Sequence, residues 1–103
     1  MSQQPHIQNH EMMSYPEYFQ ATILKMNTHE LRHNLPGITF QIGDTINLRE
    51  FNPTVKSYTG RTAQLVITYI SPSPTPWLVS GFTLMSTRLV DPTKWYKPTT
   101  WMN

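Results

Sequence analysis

The chain contains no cysteine, which excludes a disulfide framework and every thiolate-based metal site. Charge is scarce too. Lys and Arg together number eight and Asp and Glu six, 14% of 103 residues. That is too sparse for a polybasic face that grips duplex nucleic acid without regard to sequence, even with a net charge of +2 and a pI near 9.1. Any contact with an anionic partner must be local. No run approaches the ~20 apolar residues of a membrane-spanning helix, and the opening MSQQPHIQN lacks the basic start and apolar centre of a secretory signal. A cytoplasmic protein without a membrane contact is the expectation. There is no phosphate-cradling glycine loop, no nucleophile elbow and no Cys/His ligand spacing. His6, His10, His29 and His33 form no ligand pattern on a single element, so neither metal nor cofactor is expected.

What the chain does contain is one modest core's worth of apolar residues and many turn formers. Residues 1–9 read as a loose leader, 10–88 as the domain and 89–103 as an irregular aromatic tail. Ser14-Tyr15-Pro16-Glu17 matches a capping box and predicts a helix running to Lys25–Asn27, with Tyr15, Phe19, Ile23 and Met26 on its apolar face. Thr28 to Arg32 alternates as a short strand, and Leu35-Pro36-Gly37 is a turn. Gly43-Asp44 opens a strand over 45–51 in which Ile46 and Leu48 face the core. Asn52-Pro53-Thr54 starts a connection to Gly60, long enough to form a lip, before a strand over 61–70 with Ala63, Leu65, Ile67 and Tyr69 on one face. Three prolines between Ser71 and Pro76 interrupt the sheet, and strand character resumes from Trp77 to Ser86, with Gly81 as a bulge or a close backbone approach. The fold class is α+β: a small β barrel of about five to six strands, closing its own edges, with one or two flanking helices.

Chemistry-bearing residues collect at two places. The face of the first strand that carries Thr28, Glu30 and Arg32 is polar and lines a cleft, unless Glu30 and Arg32 are merely a solvated cross-strand pair. From Phe40 to Arg61, Arg49, Glu50, Tyr58 and Arg61 come to strand ends, where a scaffold fixes exposed groups. Glu50 follows the apolar face of its strand. It stands either at the mouth of a cavity, where desolvation would raise its pKa, or just past the edge of the core. Trp95, Tyr96 and Trp101, set among Lys94 and Lys97, either stack bases or seal the core.

Taken in series, His10-Glu11, Pro16-Glu17-Tyr18-Phe19 with Ala21, Thr28-x-Glu30-x-Arg32, Gly43-Asp44, Leu48-Arg49-Glu50 and Tyr58-Thr59-Gly60-Arg61 resemble the ASCH-like branch of the PUA superfamily. More narrowly, they resemble its small bacterial and phage-borne domains of uncharacterised function, grouped there as candidate RNA-binding modules. The resemblance spans roughly residues 10–87. It implies a PUA-like barrel with a cleft lined by the Glu-x-Arg strand and the following loop. Some ASCH enzymes hydrolyse an acylated cytidine amide with a Lys, the Thr and a later Glu; here the lysine position is Asn27, the preceding turn glycine is Lys25, and Met13 replaces a basic residue after His-Glu. Asn27 cannot carry a proton or act as an amine nucleophile.

The expected function is therefore a module that binds RNA, single-stranded nucleic acid or a nucleotide. Arg32, Arg49 and Arg61 would meet a phosphate or base edge, Glu30 and Glu50 would accept from an exocyclic amine, and Tyr58 would stack. A hydrolase of modified nucleosides, with Thr28 orienting the substrate and Glu30 or Glu50 as general acid/base, is one alternative. A phage or prophage protein-interaction domain is the other.

Overall fold

The computed structural model describes residues 7–72 and 80–90. The strand expected from Trp77 begins outside that range, and so does nearly all of the aromatic tail. Five strands and one helix follow in the order β1 (Asn9–Ser14), α1 (Pro16–Ile23), β2 (His29–His33), β3 (Thr45–Asn52), β4 (Ser57–Ile70) and β5 (Phe82–Leu89). They form one sheet of order β1-β3-β4-β5-β2. The β3, β4 and β5 neighbours and the β5-β2 pair are antiparallel, whereas β1 lies parallel to β3. A parallel neighbour needs a crossover, and the helix, β2 and the 34–44 segment supply it.

The sheet curls until its two edge strands face each other. Arg32 on β2 donates from Nη2 to the Met13 carbonyl on β1, 3.1 Å away. No backbone ladder joins those edges, so among the described residues the sheet is a half-barrel and not the closed barrel expected. Its inner face holds Ile46, Leu48, Ala63, Leu65, Ile67 and Met85, each buried, with Phe19 of α1 packed over them. Burying a side chain of Phe, Leu or Ile size stabilises by about 1.5–3 kcal/mol, so this layer is what holds the sheet and helix together.

Several local expectations are revised. β1 was not foreseen: His10, Met12 and Ser14 point inward opposite Ile46, Leu48 and Glu50, an alternation with no β-branched residue to announce it. Asn9, assigned to the leader, begins that strand and bonds Thr45 through its side chain at 2.7 Å. Ser14 is consequently a strand residue and caps nothing. Tyr15 takes the N-cap position without a side-chain bond, and Pro16 in the first turn sets the entry. α1 stops at Ile23 because Lys25 adopts φ 62°, so Met26 is left 78% exposed.

The lip is also absent. Pro53 to Lys56 is a tight turn and β4 already begins at Ser57, which makes β3 and β4 one long hairpin. Thr59-Gly60 lies within the strand, in a bulge: Phe51 pairs with Tyr58 and Arg49 with Thr62, so Thr59, Gly60 and Arg61 together oppose Glu50. Gly60, at φ 96°, takes the left-handed conformation that permits this. A second irregularity between Ile67 and Tyr69 turns Tyr69 outward, 51% exposed, although it shares parity with the core residues. Gly81 stands in the turn before β5, and β5 extends to Leu89, which packs against the core.

Candidate functional site

β2 sets its polar side inward. Glu30 pairs across the ladder with Met85, a core residue, and its side chain is only 9% exposed, while Leu31 on the other side is 52% exposed. A strand inverted in this way cannot be a solvated edge. Nor are Glu30 and Arg32 a cross-strand pair: they stand two residues apart on one face, and Arg32 donates to Glu30 Oε1 from Nε at 3.0 Å and from Nη2 at 2.8 Å. The same Nη2 makes the bond to Met13 that spans the seam. Arg32 Nη1 and Glu30 Oε2 have no hydrogen-bond partner among the described residues. An acceptor atom of a buried carboxylate without a partner is costly unless something else satisfies it.

Both groups border a cleft of about 530 Å³ between the end of β1, the start of α1 and β2. Tyr15 and Tyr18 stand on its helix side, 42% and 62% exposed. Ser14, buried, lies at its floor. Asn27 also borders it, its amide donating to the Thr22 hydroxyl at 3.3 Å. Thr28 does not border it. That residue is exposed at the mouth of β2, where its carbonyl accepts from the Thr87 amide at 2.9 Å and extends the β2–β5 ladder.

The remaining expected residues are placed elsewhere. Glu50 is buried one strand away, since Ser14 is its ladder neighbour. Arg61 donates to both its oxygens, Nε to Oε1 at 2.9 Å and Nη2 to Oε2 at 3.0 Å, and the Thr59 hydroxyl adds a third bond at 2.7 Å. Desolvation does not raise this carboxyl's pKa as one alternative held. The Arg61 bonds outweigh burial, the Thr59 hydroxyl assists, and the pKa is lowered. Arg61 further rests over the Phe19 ring, 4.9 Å from its centroid, and reaches Gln20 at 3.2 Å. Its guanidinium ties α1 to the bulge.

Arg49 and Tyr58 lie on the outer face at the hairpin end, where the guanidinium sits 3.8 Å over the Tyr58 ring and Phe51 meets that ring edge-on at 5.1 Å. The three arginines therefore serve three different places. Of the seven residues expected at one site, the structure brings only Glu30 and Arg32 to the cleft, and it adds Tyr15, which was assigned to the helix's apolar face, and Tyr18.

A second pair went unnoticed in the sequence. Asp44 is fully buried and accepts from the amides of Gln8 and Gln41, each at 3.0 Å, and from His10 Nε2 at 2.8 Å. Burial would raise its pKa, but those donors together lower it. His10-Glu11 and Gly43-Asp44 were both visible as motifs, yet 34 residues separate the two partners and only the parallel β1–β3 pairing joins them. Among the described residues no group of three or more His, Cys, Asp or Glu could hold a metal ion, and no helix is long and apolar enough to cross a membrane.

No curated protein matches the chain. A family model does: the one described as Domain of unknown function (DUF3850) matches residues 9–87, from the first residue of β1 into β5, so the chain belongs to that family.

Proposed function

We propose that the cleft between β1, α1 and β2 binds a nucleotide, free or within single-stranded RNA. The observation that carries this reading is the unpartnered Glu30 Oε2, nine-tenths buried, beside the unused Nη1 of Arg32. A fixed acceptor next to a fixed cation suits a ligand with an amine edge and an anionic group, and the two tyrosines offer rings on which a base can stack. A volume of about 530 Å³ lies within the range of ~300–1,000 Å³ common for small-molecule sites. The resemblance to the ASCH-like branch of the PUA superfamily, with its candidate RNA-binding members, points to the same ligand class. Scarce positive charge favours a single strand over a duplex, because among the described residues Arg32 is the only Lys or Arg bordering the cleft.

Chemical-shift mapping with the four ribonucleoside monophosphates and a short single-stranded RNA tests the reading. Saturable shifts are expected at Asn27, His29, Leu31 and the two tyrosines, weakened about tenfold or more in Glu30→Gln and Arg32→Ala. Absence of saturable shifts, or shifts that survive both substitutions, would overturn it.

A further inference from the structure

On the other side of the Arg32 bridge lies a second cavity, about 320 Å³, bordered by His10, Met12, Leu35, Ile38, Phe40 and Arg32. Among the described residues it shares only Met13 and Arg32 with the first. Glu11 and His33 also border it, but its walls are mainly apolar, and besides Arg32 one buried polar atom on them is unexplained. The His10 side chain is 9% exposed, its Nε2 is engaged by Asp44, and its Nδ1 has no hydrogen-bond partner among the described residues.

The tautomer of that ring in its neutral form follows from its partner. Asp44 receives two backbone amides and lies at 0% exposure; with its pKa lowered it is ionised at neutral pH and can only accept. In the neutral imidazole the proton must then sit on Nε2, and Nδ1 presents a lone pair. In that tautomer the dyad holds a hydrogen-bond acceptor in a fixed orientation on a mainly apolar wall. Phe40, with its ring centroid 4.6 Å from that of His10 and tilted by 54°, borders the same space. Anchoring β1 to the turn before β3 accounts for the Asp44 side of the ring. It does not account for the other nitrogen, which a buried polar atom normally does not leave unpaired.

We infer that this cavity is a binding site for a flat, uncharged nitrogen heterocycle that donates an N–H to His10 Nδ1, the chemical class to which the nucleobases belong. The apolar walls and the Phe40 ring favour a flat ring system, and the imidazole selects a ring bearing a donor. Removing the donor leaves Nδ1 unsatisfied again, so discrimination against an N-methylated ring is the signature of this site. The inference stands whether or not the neighbouring cleft binds a nucleotide.

The test uses the full chain with ¹⁵N-labelled histidine and follows the ring nitrogens of His10. The probes are uracil and adenine, each against a methylated counterpart retaining no N–H. The expected result is a saturable shift of the Nδ1 resonance with at least one parent base, at an affinity tenfold or more above that of its methylated form. His10→Phe should abolish that preference. No saturable shift at His10, equal affinity for parent and methylated rings, or a preference that persists in His10→Phe each overturns the inference. The comparison in the unaltered chain decides the matter even if His10→Phe does not fold. Nucleotide shifts at Asn27 and Tyr18 with His10 undisturbed would overturn this site while leaving the cleft reading intact.

Discussion

Glu50–Arg61 and Glu30–Arg32 both lie on the inner side of the same sheet, both with a buried carboxylate and a guanidinium about a third exposed. Their geometries are opposite. Arg61 spans both oxygens of Glu50, and Thr59 adds a third bond, so the carboxylate is closed while Arg61 also reaches α1. Arg32 directs two nitrogens at one oxygen of Glu30 and spends the rest of Nη2 on the opposite edge strand. One pair is saturated and the other is not. The sheet curls without closing, and Arg32 fastens its seam while both of its bonds to Glu30 converge on one oxygen.

The largest predicted effect separates the pairs by stability. Arg61→Ala should cost about 2–4 kcal/mol, measured by urea unfolding, because it strands the Glu50 carboxylate with a single hydroxyl; the partial exposure of Arg61 sets the value at the lower end of buried-pair losses. Arg32→Ala should cost about 1–2 kcal/mol, since it removes one crossing bond and leaves Glu30 beside the cleft. Equal losses would erase the distinction. Nucleotide affinity should respond in the reverse order, falling in Arg32→Ala and holding in Arg61→Ala.

Next in size is the acid response. The folded pKa values of Glu50 and Asp44 lie below their unfolded values of about 4. Each therefore contributes stability that is fully present above that unfolded value and is lost as pH falls through the folded one. Unfolding free energy should decline below about pH 4, and Glu50→Gln should flatten that decline while lowering stability at neutral pH. A variant with an unchanged acid limb would show that the closed pair is not the one that titrates.

Much of the sheet was legible in the sequence because its central strands alternate strongly. Ile46, Leu48, Ala63, Leu65 and Ile67 were assigned inward from parity alone, and all are buried. Parity failed where the backbone slips: Tyr69 follows the irregularity at Ile67/Tyr69, and Thr59-Gly60 reads as a turn although it is a bulge within β4. At the site, the Thr28-x-Glu30-x-Arg32 face was read as cleft-lining or as a solvated pair, and the structure sets Glu30 and Arg32 against a cleft while leaving Thr28 off it. Arg49, Tyr58 and Arg61 stand away from it: adjacent residues on a strand point to opposite sides, so Arg49 goes out while Glu50 goes in, and Arg61 is held inside by Glu50. Tyr15, Tyr18 and the His10–Asp44 pair depend on contacts between distant segments, which no local pattern encodes.

The smallest predicted effect tests the outer face against the inner one. Arg49 lies over the Tyr58 ring on an exposed hairpin end, where a cation over an aromatic ring contributes about 0.5–1 kcal/mol. Arg49→Ala should therefore lower stability by no more than that, and Tyr58→Leu by a similar amount, in urea unfolding. Neither should change nucleotide binding at the cleft, because β3 itself separates this face from the one that carries Glu30 and Arg32. Glu30→Gln is the matching inner-face change: it keeps the side chain's volume, alters stability by about 1 kcal/mol or less and weakens binding about tenfold, near 1.4 kcal/mol. A binding loss in Arg49→Ala equal to that of Glu30→Gln would mean that the ligand reaches both faces of the sheet, and the cleft would then be only one end of its path.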